Sequence, residues 1–169
     1  MKTYHPANSS RTLVSQLENN STQWLGSLPL SKISFKVGQT FVTPSSALVD
    51  SVQICADAIQ SNGLIELSFH EFNEASHTWG AELGKSSLQV ARKAGDSWLN
   101  FDLGSIRLEK NKTYGFMLTS NDALVAISEV AWGHKDSKPS GEEWSIRSNE
   151  KEEHFFNYFS LVYKIGICA

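Results

Sequence analysis

Apolar and polar residues alternate along most of this chain, and this two-residue period limits what it can fold into. The clearest stretch is SWLNFDLGSIRLEKNKTYGFMLTS (residues 97–120), where the alternation runs on both sides of the polar turn EKNK. Successive side chains of a strand point to opposite faces of its sheet, so the pattern predicts a half-buried strand pair joined by this turn. We expect its alternating apolar residues to supply much of the core: Leu99, Phe101, Tyr114, Phe116 and Leu118.

The same alternation recurs in ISFKVGQTFVTP, VDSVQICADAI, SNGLIELSFHEF, DALVAISEVAWG and HFFNYFSLVYKIGI. Ser61-Asn62-Gly63 is a turn signal, so the second and third of these segments are predicted to form an antiparallel pair. The last segment is long, and we expect a central strand there. About eight short strands with turn signals roughly every ten residues predict an all-β fold, an antiparallel two-sheet β-sandwich of the jelly-roll type.

The chain has 169 residues, of which 40% are hydrophobic, enough for one substantial core. Residues 1–28 are polar and rich in Ser, Asn and Thr, so we interpret them as a polar leader or arm; residues 29–169 are predicted to form a single β-sandwich domain. NEASHTWGAELGKSSLQVARKAGD is interpreted as a long loop with a weak strand. Long loops in small domains are where binding residues are expected.

Charge and hydropathy argue against two classes of partner, nucleic acids and membranes. The chain carries 15 Lys and Arg against 18 Asp and Glu, a net charge of -3, and has no basic run, so nucleic acid is not an expected partner. No run of about 18 apolar residues occurs, so membrane insertion is not expected either. The first residues lack the apolar segment of a secretory signal, which leaves the compartment unassigned.

Cysteine and acidic residues give no metal-site pattern. Cys55 and Cys168 are too few and too far apart for a zinc site; they could form a disulfide if their strands are neighbours, or remain free thiols. Asp50, Asp57 and Asp102 could contribute to a structural calcium site, but they lack calcium-loop spacing. No metal and no cofactor is therefore predicted.

Three segments carry a resemblance to a known family. These are ISFKVGQTFVTPSSALVDSVQI, SWLNFDLGSIRLEKNKTYGFMLTS, and an ending with W-x11-W followed by F-S-L-V-Y-K-I. Their order resembles the galactose-binding-like jelly-roll modules, which are similar to carbohydrate-binding modules of bacterial secreted and cell-surface proteins. The resemblance implies non-catalytic glycan recognition and a secreted or cell-surface location.

Sugar recognition needs a flat aromatic face for the C–H side of a pyranose and fixed polar groups for its hydroxyls. Two predicted loops supply such residues, and if they meet at one end of the sandwich they form a single ligand-binding patch: His77, Trp79, Trp132, His134, Trp144 and Arg147. Packing over the sandwich edge is the alternative for Trp132 and Trp144. Trp79 lies in a polar, Gly-rich stretch, so it is the favoured ligand contact.

Catalytic patterns are missing from the sequence. No H-E-x-x-H, G-x-S-x-G or P-loop motif occurs, and the adjacent His70 and Glu71 point to opposite faces of a strand. Glu66 and Glu129 are interpreted as solvated residues. We therefore expect no catalytic residues and no enzyme activity. The alternative to glycan binding is a structural or assembly protein, such as a virion or surface-layer subunit, with the arm exchanged in a homo-oligomer.

Overall fold

The computed structural model describes residues 1–3, 11–133 and 141–168, and the regular elements in these ranges are β-strands. In the first half they are β1 (Lys2–Thr3), β2 (Thr12–Gln16), β3 (Glu18–Asn19), β4 (Ser21–Ser27), β5 (Ser34–Val42), β6 (Ala47–Ser61), β7 (Gly63–Asn73) and β8 (Thr78–Val90). In the second half they are β9 (Ser97–Leu108), β10 (Thr113–Thr119), β11 (Leu124–Ala131), β12 (Glu143–Arg147), β13 (His154–Phe156), β14 (Phe159–Leu161) and β15 (Tyr163–Ile167). In this described part of the chain, no helix is long and apolar enough to cross a bilayer.

Thirteen strands form one continuous antiparallel sheet, and β1 and β3 pair separately as a two-stranded sheet. We divide the large sheet into two layers at the β4–β5 pair: the first contains β2, β4, β6, β9, β11, β14 and β15, and the second contains β5, β7, β8, β10, β12 and β13. Strand β4 joins the layers, because it pairs with β11 along most of its length and with the start of β5 through Gly26 and Ser27. The sheet therefore curls on itself, and the prediction of an all-β antiparallel sandwich is confirmed.

Aromatic rings from both layers meet in the core between them. Tyr163 of the first layer lies 5.7 Å from Phe116 and 6.3 Å from Phe41 of the second, measured between ring centroids. The residues predicted from the 97–120 alternation are all buried, as are the inward-facing residues of β7, so these core assignments are confirmed. The prediction of one long central strand at the end of the chain is wrong, because this segment is divided into β13, β14 and β15, which pair with different strands. Only its last part, β15, lies between two neighbours, β2 and β6.

Two predicted strand pairs are wrong, because the chain crosses between layers where a hairpin was expected. β9 pairs with β6 in the first layer, whereas β10 lies between β5 and β7 in the second. The crossing is held by the buried Thr43, whose hydroxyl proton is shared between the backbone oxygens of Glu109 and Lys112. Likewise β6 and β7 are separated only by Asn62 and do not pair. A turn signal indicates where the chain bends but not which layer the next strand joins.

The predicted polar leader differs from what the structure shows over residues 11–28. Strand β2 pairs with β15, β4 pairs with β11 over six residues, and Leu25 is fully buried. Asn19 and Asn20 hydrogen-bond to the backbone of Glu129 and Ala131. Polar side chains that bond to backbone make this segment part of the sheet, although its apolar residues are few.

The predicted long loop at residues 73–96 is also wrong. Strand β8 occupies thirteen of these residues and forms a hairpin with β7 through a short turn. It is an edge strand whose outer face carries small and polar side chains apart from Trp79, so mainly the apolar residues of the inner face mark it in the sequence. Trp79 therefore stands on a strand. The predicted loop segment at residues 134–140 lies outside the described residues.

Both cysteines are free thiols. The backbone N–H of Cys168 donates to Leu48 on β6, seven residues before Cys55 on the same strand. Because a strand rises about 3.3 Å per residue, the two positions are roughly 20 Å apart along β6, far beyond the reach of a disulfide. Cys55 is buried against Val162 and Trp98.

Candidate ligand-binding site

Five aromatic side chains pack together at one end of the second layer, on the face turned away from the core. This aromatic patch consists of Phe72, His77, Trp79, Trp144 and Phe155. The centroid of Trp79 lies 5.3 Å from that of Phe72 and 5.7 Å from that of Trp144, both edge to face. His77 and Phe155 lie 4.4 Å apart. Strands β7, β8, β12 and β13 and the turn between β7 and β8 thus converge on one cluster.

Two glycines form the floor of the aromatic patch. A Cβ atom at Gly115 of β10 would lie 2.8 Å from a ring carbon of Trp79, and one at Gly38 of β5 would lie 3.2 Å from a ring carbon of Trp144. Both distances are shorter than ordinary carbon–carbon contacts. The missing side chains therefore allow both indole rings to lie directly on the sheet.

Carboxylates surround the aromatic patch. The Nε2 atom of His77 lies 3.0 Å from Glu142 Oε2, and Trp144 Nε1 donates to Glu153 Oε2 at 2.7 Å. At the β7 end, Glu74 accepts a hydrogen bond from Thr113. The rim is acidic as a result, and it presents hydrogen-bond acceptors.

The rings differ in what they offer to solvent. Trp144 is buried, with 4% of its surface exposed, whereas Trp79 and Phe155 are half-buried and the His77 side chain is 44% exposed. The Trp79 indole N–H is buried and finds no acceptor among the described residues, so packing rather than hydrogen bonding fixes this ring. The accessible part of the aromatic patch therefore consists of Trp79, His77 and Phe155, and Trp144 supports them.

A polar groove continues this face of the second layer. It encloses about 420 Å³, and its lining includes Glu66, Ser68, Lys85, Ser87 and Thr119. Ser68 Oγ hydrogen-bonds to His70, whose ring in turn contacts Trp79 at a centroid distance of 5.7 Å. The groove therefore begins beside the aromatic patch and supplies hydroxyl, carboxylate and ammonium groups.

The structure brings together three of the six residues that the sequence singled out. His77, Trp79 and Trp144 belong to the aromatic patch. Trp132 does not: it follows β11 of the first layer, and its backbone N–H donates a hydrogen bond to the Tyr158 carbonyl. Arg147 ends β12 and stacks over Phe35 at 5.3 Å. His134 lies outside the described residues. Trp144 also packs against the sandwich, as the alternative interpretation expected.

Sequence reasoning missed Phe72, Phe155 and Glu142. Phe72 follows Ser68 and His70 in the outward phase of β7, so an aromatic residue at that position was a usable signal. Phe155 stands among adjacent aromatic residues that must face opposite sides of a strand. Glu142 meets His77 only through the tertiary fold, because 65 residues separate them.

The described residues contain no group of three or more His, Cys, Asp or Glu side chains placed to hold a metal ion. The carboxylates considered for calcium accept hydrogen bonds from neighbouring side chains: Asp50 from Ser51, Asp57 from Ser128, and Asp102 from Asn100.

Comparison with known proteins gives a limited result. No family model matches the chain, and no curated protein matches it. Two solved structures of Cwp84, a surface layer associated protein of Clostridium difficile, are similar. One contains its cysteine protease and lectin-like domains (14% identity, TM-score 0.48) and the other the protease after propeptide cleavage (13% identity, TM-score 0.49). Each match covers 89% of this chain but only 36% and 41% of those chains.

Proposed function

We propose that this chain is a non-catalytic binding module that recognises a neutral carbohydrate, or a similar surface ligand, through the aromatic patch and the adjoining polar groove. The observation that carries the proposal is the placement of Trp79. Its ring lies on the glycine floor and packs edge to face against Trp144. It lies beside His77, which contacts Glu142.

The chemistry of a saccharide fits this surface. The C–H face of a pyranose ring packs on aromatic side chains, and its hydroxyls need hydrogen-bond acceptors and donors held by a rigid scaffold. Trp79 and Phe155 supply the apolar face, Glu142 supplies acceptors, and Ser68 and Thr119 in the groove supply hydroxyls. All of these groups except Glu142 stand on strands, which hold them in fixed positions.

The charge of the rim favours neutral ligands over acidic ones. Glu74, Glu142 and Glu153 all border the aromatic patch, and the chain as a whole carries a net charge of -3. A sialylated or sulfated glycan would bring further negative charge to this rim. We therefore expect neutral glycans to bind more tightly than their acidic counterparts.

The alternative, an assembly protein with an exchanged arm, gains no support from the described residues. Residues 12–27 hydrogen-bond within their own chain, to β15 and β11. A homo-oligomer formed through other surfaces stays a prediction, as does the absence of enzyme activity. Light scattering of the intact chain tests the first, and a hydrolysis assay on any glycan that binds tests the second.

A glycan array with matched tryptophan variants tests the proposal. Wild type is compared with Trp79→Ala and with Trp24→Ala, which removes a 37% exposed indole from β4 in the other layer. We expect wild type and Trp24→Ala to bind the same neutral glycans, and Trp79→Ala to lose about tenfold or more in affinity. Equal binding by all three proteins, or a preference for acidic glycans, would overturn the proposal.

A further inference from the structure

A second concave site lies between β4, β11 and the β12–β14 segment. This carboxyl cleft encloses about 550 Å³, and its lining includes Glu129, Glu143, Arg147, His154, Phe156 and Phe159. It is separate from the aromatic patch, although β13 contributes to both: Phe155 packs in the patch, whereas its neighbours His154 and Phe156 line the cleft.

Two buried carboxyl groups meet at the floor of the carboxyl cleft. Glu129 and Glu143 are 4% and 1% exposed, so the interpretation of Glu129 as a solvated residue is wrong. Burial raises the pKa of Glu143 far above its usual range, and a hydrogen bond with Glu129 and the charge of that group raise it further. The pair therefore keeps a proton at neutral pH, and it offers both a hydrogen-bond donor and acceptors. Glu143 Oε2 has no hydrogen-bond partner among the described residues.

The fold itself does not require an acid at residue 143. Gln39, its partner across the β5–β12 pair, is equally buried, and its amide is satisfied by the backbone of Thr40 and Leu161. An amide or an apolar side chain at residue 143 would avoid the cost of burying a carboxyl group with an unpaired oxygen. Costly polar groups in a cleft are candidates for ligand contacts.

The walls of the carboxyl cleft combine aromatic rings with the guanidinium of Arg147 and with the carboxylate of Glu150, which lies 3.0 Å from His154 Nε2. Phe156 stacks on His154 at a centroid distance of 6.0 Å and meets Phe159 edge to face at 5.6 Å. On the other side the guanidinium of Arg147 stacks on Phe35, and Ser145 also lines the cleft. An apolar wall, a hydrogen-bonding floor and a donor at the rim therefore face one another.

We infer that the carboxyl cleft binds a neutral polyhydroxylated ligand of the size of one or two pyranose rings. The ligand's apolar face packs against Phe156 and Phe159, and its hydroxyls bond to Glu143, Glu129 and Arg147. A divalent cation fits less well, because Arg147 stands at the rim and the described side chains provide no third ligand beside the pair. The inference does not depend on the aromatic patch.

The test is a titration followed by the backbone amide signals of the isotope-labelled chain, with glucose, galactose, mannose and N-acetylglucosamine as separate probes and calcium chloride as a further arm. At least one sugar is expected to shift the signals of Glu143, Ser145 and Phe156 saturably in the millimolar range. The same shifts are expected in Trp79→Ala, which separates this site from the aromatic patch. Shifts confined to the patch, shifts with calcium alone, or none at all would overturn the inference.

Substitutions at the floor and the rim sharpen the test. Glu143→Gln keeps a donor and an acceptor of the same shape, so sugar affinity is expected to stay within about threefold of wild type; Glu143→Leu has neither and is expected to lose about tenfold or more. Arg147→Met keeps an apolar stem at an exposed position, so it tests the rim without disturbing the core. Wild-type affinity in both Glu143→Leu and Arg147→Met would contradict the inference.

Discussion

At Gly115 the absence of a Cβ atom determines where an indole ring can lie. A Cβ there would come within 2.6 Å of the backbone oxygen of Gln39 and 2.8 Å of the Trp79 ring, and neither neighbour can rotate away. The same reasoning at Gly84 gives a different result, because the nearest atom there is the terminal methyl of Ile106, which can change its rotamer. The missing Cβ atom of Gly115 therefore allows the Trp79 ring to lie on the sheet.

Gly115→Ala is expected to destabilise the protein by about 1–3 kcal/mol and to shift Trp79, because the added methyl overpacks against backbone and ring. Gly84→Ala on β8 is the matched control, with a smaller expected loss. Urea unfolding followed by tryptophan fluorescence measures both the stability and the ring environment. Equal stability losses in the two variants would show that Gly115 has no special role.

The carboxyl pair makes stability depend on pH. Because the pKa of Glu143 is raised in the folded state, the folded chain holds a proton that the unfolded chain releases above its ordinary pKa of about 4. The contribution of this group to stability is therefore fully present below that pH and falls as pH rises, by up to about 1.4 kcal/mol per pH unit for one proton.

Glu143→Gln is expected to flatten this dependence between about pH 5 and 9, and to be more stable than wild type at the upper end, since an amide has no proton to lose. The exposed carboxylate Glu152 provides the control, as Glu152→Gln is expected to leave the slope unchanged. The measurement is thermal unfolding at a series of pH values. A slope that survives in Glu143→Gln would refute the assignment.

The two thiols are expected to differ in reactivity. Burial raises the pKa of Cys55 to about 11, so its thiolate is scarce at neutral pH and shielded as well, whereas Cys168 is half-buried near the end of the chain. With a disulfide reagent at neutral pH we expect one thiol to react promptly and the second only on unfolding. Cys168→Ser should remove the prompt reaction; prompt reaction of both thiols in wild type would contradict the account.

At the scale of the strand, local alternation identified most elements, but pairing could not be read from it. The residues of β9 and β10 have the expected faces, yet the strands belong to different layers, because pairing depends on contacts far apart in the chain. On β12, Trp144 lies on the outer face and Glu143 points inward. Hydrophobicity alone would favour Trp144 inside, and the glycine floor explains why the indole ring packs on the outer face instead.

The crossing between β9 and β10 can be tested at Thr43. Thr43→Val keeps the shape but removes the hydroxyl that donates to the backbone oxygens. We expect a loss of about 1 kcal/mol, the usual contribution of one hydrogen bond, because Lys112 O still accepts a hydrogen bond from the Thr43 backbone N–H. Thr43→Ser keeps the hydroxyl and should cost less. Chemical denaturation compares the two, and a Val variant as stable as the Ser variant would rule out this role.

At the scale of the whole molecule, the early residues complete the sandwich. Strand β4 joins the two layers, and its Leu25 belongs to the core. The sequence did not indicate this role, because residues 11–28 contain few apolar residues and join the sheet mainly through hydrogen bonds of their backbone and polar side chains. The candidate site shows the same limit: His77 and Trp79 could be chosen from composition, whereas Glu142 and Phe155 join them only in the folded chain.

Deleting residues 1–28 is therefore expected to abolish cooperative unfolding, because the core loses Leu25 and β11 loses a neighbour. Deletion of residues 1–3 removes only the exposed two-residue β1. It should therefore shift the melting temperature by no more than a few degrees. Thermal unfolding followed by circular dichroism measures the cooperativity and the melting temperature of both deletion variants. A cooperative melt after the longer deletion would restore the interpretation of a separate arm.

We propose that Trp79 and its neighbours form the ligand surface, and the indole N–H signals of the five tryptophans test this proposal most directly. They are recorded by ¹⁵N-resolved NMR, assigned with single Trp→Phe variants, while a neutral glycan selected on the array is added. The prediction is a saturable shift of the Trp79 and Trp144 signals, with Trp24, Trp98 and Trp132 unchanged. Saturable binding that leaves the Trp79 and Trp144 signals in place would contradict it.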